Sequence, residues 1–371
     1  MSNEHTGPSL LESTAGSVAA SLTGRPVTPQ WQRWIAENVL RGNDLQLVAD
    51  AMLRSGFDEQ TVRQEIAAAQ EHPYLEAARA LASIPATPAA TGTVESKIRK
   101  RDWVLEIYRR SARQASTFAQ VPRVRRPSRQ EFLDKYYARN EPVVIEGALD
   151  NWPALTRWTP TYFQERFGDR LVEVQAHRHA DPDYEINAAQ HKKTMRFGDF
   201  VAVVESLGPS NDWYITARNG GTNQEQLKEL WDDIIQLPEY LRGDDPGNRG
   251  FFWYGPRGTV TPLHHDLTNN FMAMVRGRKL VRLIAPYELP DLYNHRHCFS
   301  RVDLDRVDYE RFPRFRNVTV LDVVLGKGDL FFLPVGWWHY VGGLDVTVTM
   351  TFTNFVFDNG FYDSYSTYGE I

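Results

Sequence analysis

Apolar residues recur every three or four positions between residues 26 and 84, which is the spacing of amphipathic helices. These positions are Trp31, Trp34 and Ile35 in a first helix, Leu45, Val48 and Met52 in a second, and Val62 and Ile66 in a third. The pattern predicts a small helical bundle. Two roles for it stay open: a solubilising or dimerising appendage, and a module that docks a substrate.

Glycines and polar residues mark where these helices begin and end. Gly42 and Gly56 terminate the first and second helices, and Asn43 with Gln46 has the spacing of a capping box for the second. Asp58 is placed to cap the third helix, because its side chain can accept a backbone N–H of the first turn.

Segments of biased composition flank the bundle. Residues 1–25 are rich in Ser, Thr, Gly and Ala and are expected to be disordered. Residues 85–95 are rich in Pro, Ala and Thr and are expected to be a linker. The linker predicts a domain boundary.

A basic segment, residues 96–126, follows the linker. It contains ten Lys or Arg residues, and Trp103, Ile107 and Tyr108 recur within it. We expect a helix with one buried side that leads into the next domain. Its charges form either a solvated face or a contact with an acidic partner such as a peptide or RNA.

From Pro127 onward, short apolar runs of strand length alternate with glycine and proline. Strands are predicted at 142–146, 171–178, 251–254, 271–275, 279–284, 318–321, 329–333 and 347–355. Short helices are predicted at “TPTYFQERFGD” and “TMRFGDFVAVVESLG”. The pattern favours an antiparallel barrel or sandwich over residues 127–358, followed by an aromatic C-terminal tail, residues 359–371.

Composition narrows the expected setting of this domain. The 371 residues are 42% hydrophobic and 24% charged, as in globular proteins, and the net charge of −5 predicts no general attraction to nucleic acid or membranes. The single cysteine, Cys298, cannot form an internal disulfide. No secretory signal is recognised, and no apolar run reaches the ~18 residues of a membrane-spanning helix. A cytoplasmic protein is therefore expected.

Two histidines and an aspartate lie together in the run “TPLHHD”. In an extended chain, His264 and Asp266 project to one face and His265 to the other. His339, in the predicted strand “DLFFLPVGWWHYV”, offers a third ligand. Two imidazoles and one carboxylate leave three adjacent coordination positions open, which suits Fe(II) that must bind a cosubstrate and O₂. A closed zinc site would need four ligands, generally with cysteines.

Two other stretches contain residue types that bind metals. They are His177, His179 and Asp181 in one stretch and His295, His297 and Cys298 in the other. Both are interpreted as polar surface loops. Because a His-x-Asp pair occurs in the first of them as well, spacing alone does not select the metal site.

The wider context of “TPLHHD” does select it. “GTVTPLHHDLTNNFMAMVRGRKLVRLIAP” and “GDLFFLPVGWWHYV” closely resemble the core of the JmjC, or cupin-like, family of Fe(II)- and 2-oxoglutarate-dependent oxygenases. “SRQEFLDKYYARNEPVVIEGALDNWPALTRWTPTYFQERFGD” is similar to the entry into that domain. The resemblance covers about residues 127–357. It implies a mainly β fold, a double-stranded β-helix (jelly-roll) core with flanking helices.

The resemblance also implies roles for individual residues. His264, Asp266 and His339 match the iron triad. Lys279, 15 residues after the first histidine, matches a lysine that pairs with the distal carboxylate of 2-oxoglutarate. A buried ammonium suits that carboxylate. Without the resemblance, Lys279 is better interpreted as a solvent-facing hairpin residue.

Three further residues are expected to contact the cosubstrate. Thr261 and Asn270 match positions that hydrogen-bond it, and Tyr214 in “DWYITARN” is a further expected donor to the same distal carboxylate.

The chain departs from the family pattern on the substrate side of the expected pocket. Relatives often carry an Asn and a Trp near the end of the strand after the second histidine, whereas this chain has Thr351 and Thr353, with Asn354 displaced. Some relatives carry a C-terminal helical dimerisation region, which is not expected in this chain. If the chain forms a homodimer, we expect the N-terminal bundle or the aromatic residues 355–369 to mediate it.

The resemblance implies an enzyme that uses Fe(II), 2-oxoglutarate and O₂ to hydroxylate an unactivated C–H bond. The favoured substrate is a protein or peptide side chain. A small molecule, such as a carrier-bound amino acid in a biosynthetic pathway, is the near alternative, and RNA is the least favoured. Two rival classes stay open: a cupin-like scaffold without catalysis, and a metal-dependent isomerase or dioxygenase of the wider cupin group.

Overall fold

A computed structural model of the chain describes residues 26–40, 42–83, 93–243 and 250–364. The disorder expected for residues 1–25 falls outside these ranges, as do most of the expected linker and the end of the aromatic tail. The chain divides into two compact units, residues 1–97 and 98–371.

The N-terminal unit is a helical bundle, as the periodicity predicts. Its helices are α1 (Pro29–Leu40), α2 (Leu45–Arg54), α3 (Glu59–Gln70) and α4 (Pro73–Ser83). The buried core consists of Trp31, Ile35, Val39, Val48, Met52, Phe57, Val62 and Ile66. Burial of these side chains supplies the hydrophobic free energy that holds the helices together.

The helix caps agree with one prediction and correct another. Asp58 caps α3 by accepting a backbone N–H of its first turn, which confirms the prediction. The capping box at Asn43 is wrong, because Asp44 caps α2 and accepts the backbone N–H of Gln46 at 2.9 Å. Asp44 immediately precedes the first helical residue, so its carboxylate is the group that reaches the free N–H donors.

Met52→Ala is expected to destabilise the bundle by about 2–5 kcal/mol, since Met52 is fully buried and the substitution leaves a cavity. Leu53→Ala is the matched control on the same helix, because Leu53 is 39% exposed. Amide hydrogen exchange of the full chain measures the effect. Exchange across α1–α3 should accelerate in the first variant and change little in the second; equal acceleration would contradict the assigned core.

The basic segment forms α5 (Val94–Ala112), which begins inside the expected linker and ends well before residue 126. The expectation of a buried apolar side is wrong. The three apolar side chains expected there are exposed: Trp103, Ile107 and Tyr108. Polar contacts hold the end of this helix instead. Arg109 lies 3.3 Å from Asp291 and 3.5 Å from Glu288.

The C-terminal unit contains 14 described strands. They are β1 (Arg123–Arg125), β2 (Val143–Glu146), β3 (Leu171–Gln175), β4 (Lys192–Arg196), β5 (Phe251–Gly255), β6 (Val260–His265), β7 (Asn270–Arg276), β8 (Lys279–Ile284), β9 (Asn294–Arg296), β10 (Phe299–Ser300), β11 (Leu321–Leu325), β12 (Leu330–Leu333), β13 (Trp338–Gly343) and β14 (Thr347–Phe352). Several of these depart from the sequence predictions. β1 lies at the end of the segment predicted to be a helix, and β4 contains the start of another predicted helix. β11 begins at Leu321, where the predicted strand ends, and β9 lies in a predicted loop. The predicted strand “DLFFLPVGWWHYV” is divided into β12 and β13.

Twelve of the strands form two six-stranded sheets. The first has the order β1-β2-β12-β7-β14-β5 and the second β11-β8-β13-β6-β10-β9, while β3 and β4 pair separately. From β5 to β8, and again from β11 to β14, the chain crosses between the two sheets at each successive strand. This is the double-stranded β-helix that the resemblance implies. The sheets form an open sandwich rather than a closed barrel.

Alternating side chains in the strands divide the core into layers. In β7, Met272 and Met274 face the second sheet, while Phe271, Ala273 and Val275 face the helical side. That helical side is built from α6 (Arg129–Phe132), α7 (Ala154–Arg157), α8 (Pro160–Phe167), α9 (Phe197–Ser206) and α10 (Gly220–Gln226). The space between the two sheets is where the candidate site lies.

Every helix among the described residues is too short or too polar to cross a lipid bilayer.

Candidate metal centre and cosubstrate cavity

Two adjacent strands bring the histidines of the candidate centre together. β6 and β13 pair antiparallel with His264 directly opposite His339. The preceding residues, Leu263 and Trp338, pack into the cluster on the outer face of the second sheet. Because side chains alternate along a strand, both imidazoles therefore project between the sheets. Asp266 follows the end of β6.

Among the described residues, one group of side chains has the geometry to hold a metal ion, and it consists of these three. The ligand atoms of His264, Asp266 and His339 lie within 4.8 Å of one another. The Asp266 carboxylate is 3.9 Å from Nε2 of each histidine, and the two rings are 4.1 Å apart between centroids. This set offers two imidazole nitrogens and one carboxylate oxygen to a single ion.

Backbone hydrogen bonds fix which nitrogen of each ring faces the centre. Nδ1 of His264 lies 2.8 Å from the carbonyl oxygen of Pro262, and Nδ1 of His339 lies 3.0 Å from that of Trp337. A carbonyl oxygen only accepts, so each Nδ1 carries the proton and each Nε2 presents a lone pair to the space between the three side chains. Burial lowers the pKa of His339, which favours the neutral ring that a metal requires.

Asn270 and His265 differ in their relation to this centre. The Asn270 side-chain amide donates to the Asp266 carboxylate at 3.4 Å, and its Oδ1 is buried without a hydrogen-bond partner. A buried oxygen without a partner is available to accept a hydrogen bond from a bound molecule. His265 points away and packs against Trp338, 4.8 Å between ring centroids.

The first of the other candidate clusters does not form a metal site. His179 pairs with Asp212 at 3.1 Å, and Asp181 pairs with His191 at 3.1 Å. Each is an isolated histidine–carboxylate pair.

The second cluster was predicted to be a polar surface loop. Its position at the surface is confirmed, since His295 is exposed, but the segment is not a loop. It forms the β9–β10 hairpin, in which Phe299 pairs with His264 of β6. Cys298 and Phe299 therefore line the cavity beside the centre.

A cavity of about 290 Å³ opens between the sheets over this centre. Apolar and polar side chains share its walls. The apolar lining residues include Phe251, Trp253, Met272, Phe299, Leu333 and Val341. Such a mixture of apolar walls and a few convergent polar groups is typical of small-molecule sites.

Lys279 is a buried cation in the wall of this cavity. Its exposure is 2%, so the interpretation as a solvent-facing hairpin lysine is wrong. Its ammonium donates to the Tyr214 hydroxyl at 3.2 Å, and burial lowers its pKa from 10.5 to about 7. Among the described residues no carboxylate is recorded as its partner. A bound anion would stabilise the protonated, positively charged form of Lys279, which burial alone disfavours.

The other residues expected to contact the cosubstrate line the same cavity. Thr261, Asn270 and Tyr214 all lie in its wall, and burial raises the pKa of the Tyr214 hydroxyl, which keeps it a neutral donor. Thr351 and Thr353 also line the cavity. The displaced Asn354 donates to the carbonyl oxygen of Arg242 instead.

Several lining residues were not identified from the sequence. They are Glu185, Thr216, Arg218, Trp253, Cys298 and Phe299. Sequence spacing carries no signal for most of them, because they reach the cavity from separate segments. Phe299 was detectable only through the pairing of β10 with β6, which brings its ring to 5.8 Å from that of His264.

A jelly-roll core with an inward-facing His-Asp-His cluster defines a metal-binding protein of the cupin type. The chain belongs to the cupin-like domain family, whose model matches residues 128–362. Iron-dependent dioxygenases of the JmjC type belong to this group, as the sequence resemblance implies.

Named relatives agree with this assignment. The chain is 32% identical to “Lysine-specific demethylase 8” of Xenopus tropicalis, over 62% of this chain and 52% of the relative. It is 30% identical to “JmjC domain-containing protein D” of Dictyostelium discoideum, over 59% and 53%. It is 29% identical to “tRNA wybutosine-synthesizing protein 5” of Gallus gallus, over 60% and 73%. The chain spans about half the length of the first two relatives.

The third relative bears on the expected partners. This relative is named for tRNA. The expectation that RNA is the least favoured substrate class is therefore not supported.

Proposed function

We propose that this protein is an Fe(II)- and 2-oxoglutarate-dependent hydroxylase that acts on an unactivated C–H bond of a protein or peptide side chain. The single observation that carries the proposal is the convergence of His264, Asp266 and His339 within 4.8 Å beside a cavity that contains a buried lysine. Family membership supports the same class of chemistry.

The residues present fit the metal. His264 and His339 would bind Fe(II) through Nε2 and Asp266 through its carboxylate, which leaves positions open for other ligands. When bound, Fe(II) with 2-oxoglutarate and O₂ supplies the oxidising power that converts C–H to C–OH and yields succinate and CO₂. The protein contributes binding, orientation and exclusion of water.

Lys279 is assigned to the distal carboxylate of 2-oxoglutarate. The Tyr214 hydroxyl, 3.2 Å from the ammonium, would donate to the same carboxylate. Thr261 and Asn270 contribute further polar contacts to the cosubstrate from the cavity wall. The apolar walls keep water out of the space where these charged groups meet, which strengthens their interaction.

Two candidate substrate classes are favoured by named relatives. One relative is named a lysine-specific demethylase, which supports a protein side chain, and another is named for tRNA wybutosine synthesis, which supports RNA. A small molecule or carrier-bound amino acid would also fit a cavity of about 290 Å³. We place the protein side chain first, because the chain carries a net charge of −5.

Anaerobic addition of Fe(II) and 2-oxoglutarate to the full chain tests the proposed chemistry. We expect a weak visible charge-transfer band, and succinate after oxygen is admitted. A His339→Ala bait then captures partners from native lysate, and mass spectrometry after treatment with the active protein detects additions of 16 Da. If neither the band nor succinate is formed, the proposed chemistry is wrong, and the protein is a cupin-like scaffold or another metal-dependent enzyme of the cupin group.

Binding of 2-oxoglutarate to the anaerobic, iron-loaded protein is expected to take up close to one proton at pH 8. Lys279 has its pKa lowered to about 7 in the free protein, so it is mostly neutral at pH 8, and a carboxylate beside it raises that pKa. Uptake therefore grows as the pH rises from 7. Calorimetry in buffers of different ionisation enthalpy measures it.

Lys279→Arg provides the control for this proton uptake. The guanidinium stays protonated throughout this pH range, so the variant should take up no proton at this position. Equal uptake by both proteins would show that the proton goes elsewhere.

A further inference from the structure

The edge of the second sheet beside the cavity mouth is basic. β9 and β10 extend that sheet next to the strand that carries His264. Arg296 lies at the end of β9, Arg301 directly follows β10, and both side chains are exposed. These charges therefore lie on the hairpin whose inner residues, Cys298 and Phe299, line the cavity.

A third arginine reaches the mouth from a different segment. Arg218 lines the cavity, and its side chain is 53% exposed. It is close to the β9–β10 turn, since Cys298 of that turn lines the same cavity. On the hairpin itself, burial and then the charge of Arg301 lower the pKa of His295. Arg218, Arg296 and Arg301 are called the basic rim below.

Nearby carboxylates do not neutralise the basic rim. Glu185 lies 3.9 Å from Arg218, but its other oxygen accepts from the buried Arg178 at 2.6 Å. Its charge is already compensated by that pair. Asp183 is an exposed carboxylate near His295. Among the described residues, no ion pair joins any of the three guanidiniums to Asp183 or to the Asp266 carboxylate inside the cavity.

We infer that the basic rim binds an acidic side chain that flanks the target residue of a peptide substrate. The inference rests on the proposed function, because the target side chain must enter the cavity while its neighbours stay at the mouth. Arginine suits this role, since its planar guanidinium matches a carboxylate in a bidentate pair.

The charge balance favours an acidic peptide over RNA as the occupant. Nucleic-acid surfaces neutralise many phosphates along an extended path and add stacking aromatic side chains. The basic rim consists of three arginines on a chain with a net charge of −5. One or two carboxylates would saturate it.

Fluorescence anisotropy with the full chain at low salt tests the inference. The probes are fluorescein-labelled octaglutamate, octalysine and a 12-nucleotide oligouridylate. The test variant is Arg296→Glu/Arg301→Glu. The control is Arg166→Glu, an exposed arginine on α8, which packs on the far side of the first sheet.

We expect octaglutamate to bind the wild-type protein and the control alike, and the double variant to lose about tenfold or more in affinity while it gains affinity for octalysine. Equal octaglutamate binding by the double variant, or none by the wild type, would overturn the inference. Binding of oligouridylate alone, dependent on the same arginines, would overturn it in favour of RNA. The anisotropy result needs no turnover, so a failure of the succinate assay would remove the proposed function separately.

Discussion

Asp266→Ala is expected to abolish both iron retention and succinate formation. The Asp266 carboxylate lies 3.9 Å from Nε2 of each histidine and is the only anionic member of the cluster, so its loss leaves two neutral rings to hold a dication. Removal of supporting residues around a metal typically costs 10–100-fold in affinity, and loss of a direct ligand should cost at least about 100-fold. Anaerobic equilibrium dialysis with Fe(II) measures the retention.

His265→Ala is the matched control for this substitution. His265 is adjacent in sequence, but its ring packs against Trp338 and does not line the cavity. We expect its iron affinity to stay within a few-fold of the wild type. If Asp266→Ala retains iron as well as the control does, the assignment of the metal centre is wrong.

Lys279→Met is expected to have two opposite effects. The KM for 2-oxoglutarate should rise by about 100-fold or more, because the distal carboxylate loses its buried cation. The free protein should become more stable, by a few kcal/mol at pH 7. Burial without a counter-charge lowers the pKa of Lys279 from 10.5 to about 7, so the folded state disfavours the charged form that the unfolded chain adopts freely.

The pH dependence of unfolding separates this effect from a packing effect. Between pH 7 and 10.5 the unfolded chain binds the proton of Lys279 and the folded chain does not, so the free energy of unfolding of the wild type rises with pH in this range. Lys279→Met should lack that rise. Urea unfolding at several pH values in the absence of 2-oxoglutarate measures it.

Arg278→Met is the neighbouring control for Lys279→Met. Arg278 pairs with Asp345 at the surface, and its side chain is 60% exposed. Its removal should leave both the KM and the slope with pH unchanged. A Lys279→Met variant that is less stable and keeps a normal KM would contradict the assigned role.

Periodicity in the sequence was sufficient to predict much of the fold. Helical spacing identified the core of α1–α3, since residues three and four positions apart share one face of a helix and that face is buried. Alternation in “TPLHHD” placed His264 and Asp266 on one face, and the structure brings their side chains to His339. Periodicity failed for α5, in which Trp103, Ile107 and Tyr108 are exposed, because ion pairs hold the helix where apolar burial was expected.

The cavity walls were predicted less completely than the metal centre. Thr261, Asn270 and Lys279 lie close in sequence to the first histidine, and the family resemblance identified them. Arg218 and Cys298 come from distant segments that meet only after the second sheet has extended through β10 and β9. Their position depends on strand pairing, which leaves no regular spacing in the sequence.

The pairing of His264 opposite His339 makes the metal centre sensitive to the register of β6 and β13. A shift of one residue in β13 relative to β6 would turn the His339 ring from the interior to the outer face, because neighbouring side chains in a strand point in opposite directions. Such a slipped protein would keep its strand content and its circular dichroism spectrum. Inactivation with unchanged secondary structure would therefore be the signature of mispairing, and bound iron would report correct assembly more faithfully than any spectroscopic measure of the backbone.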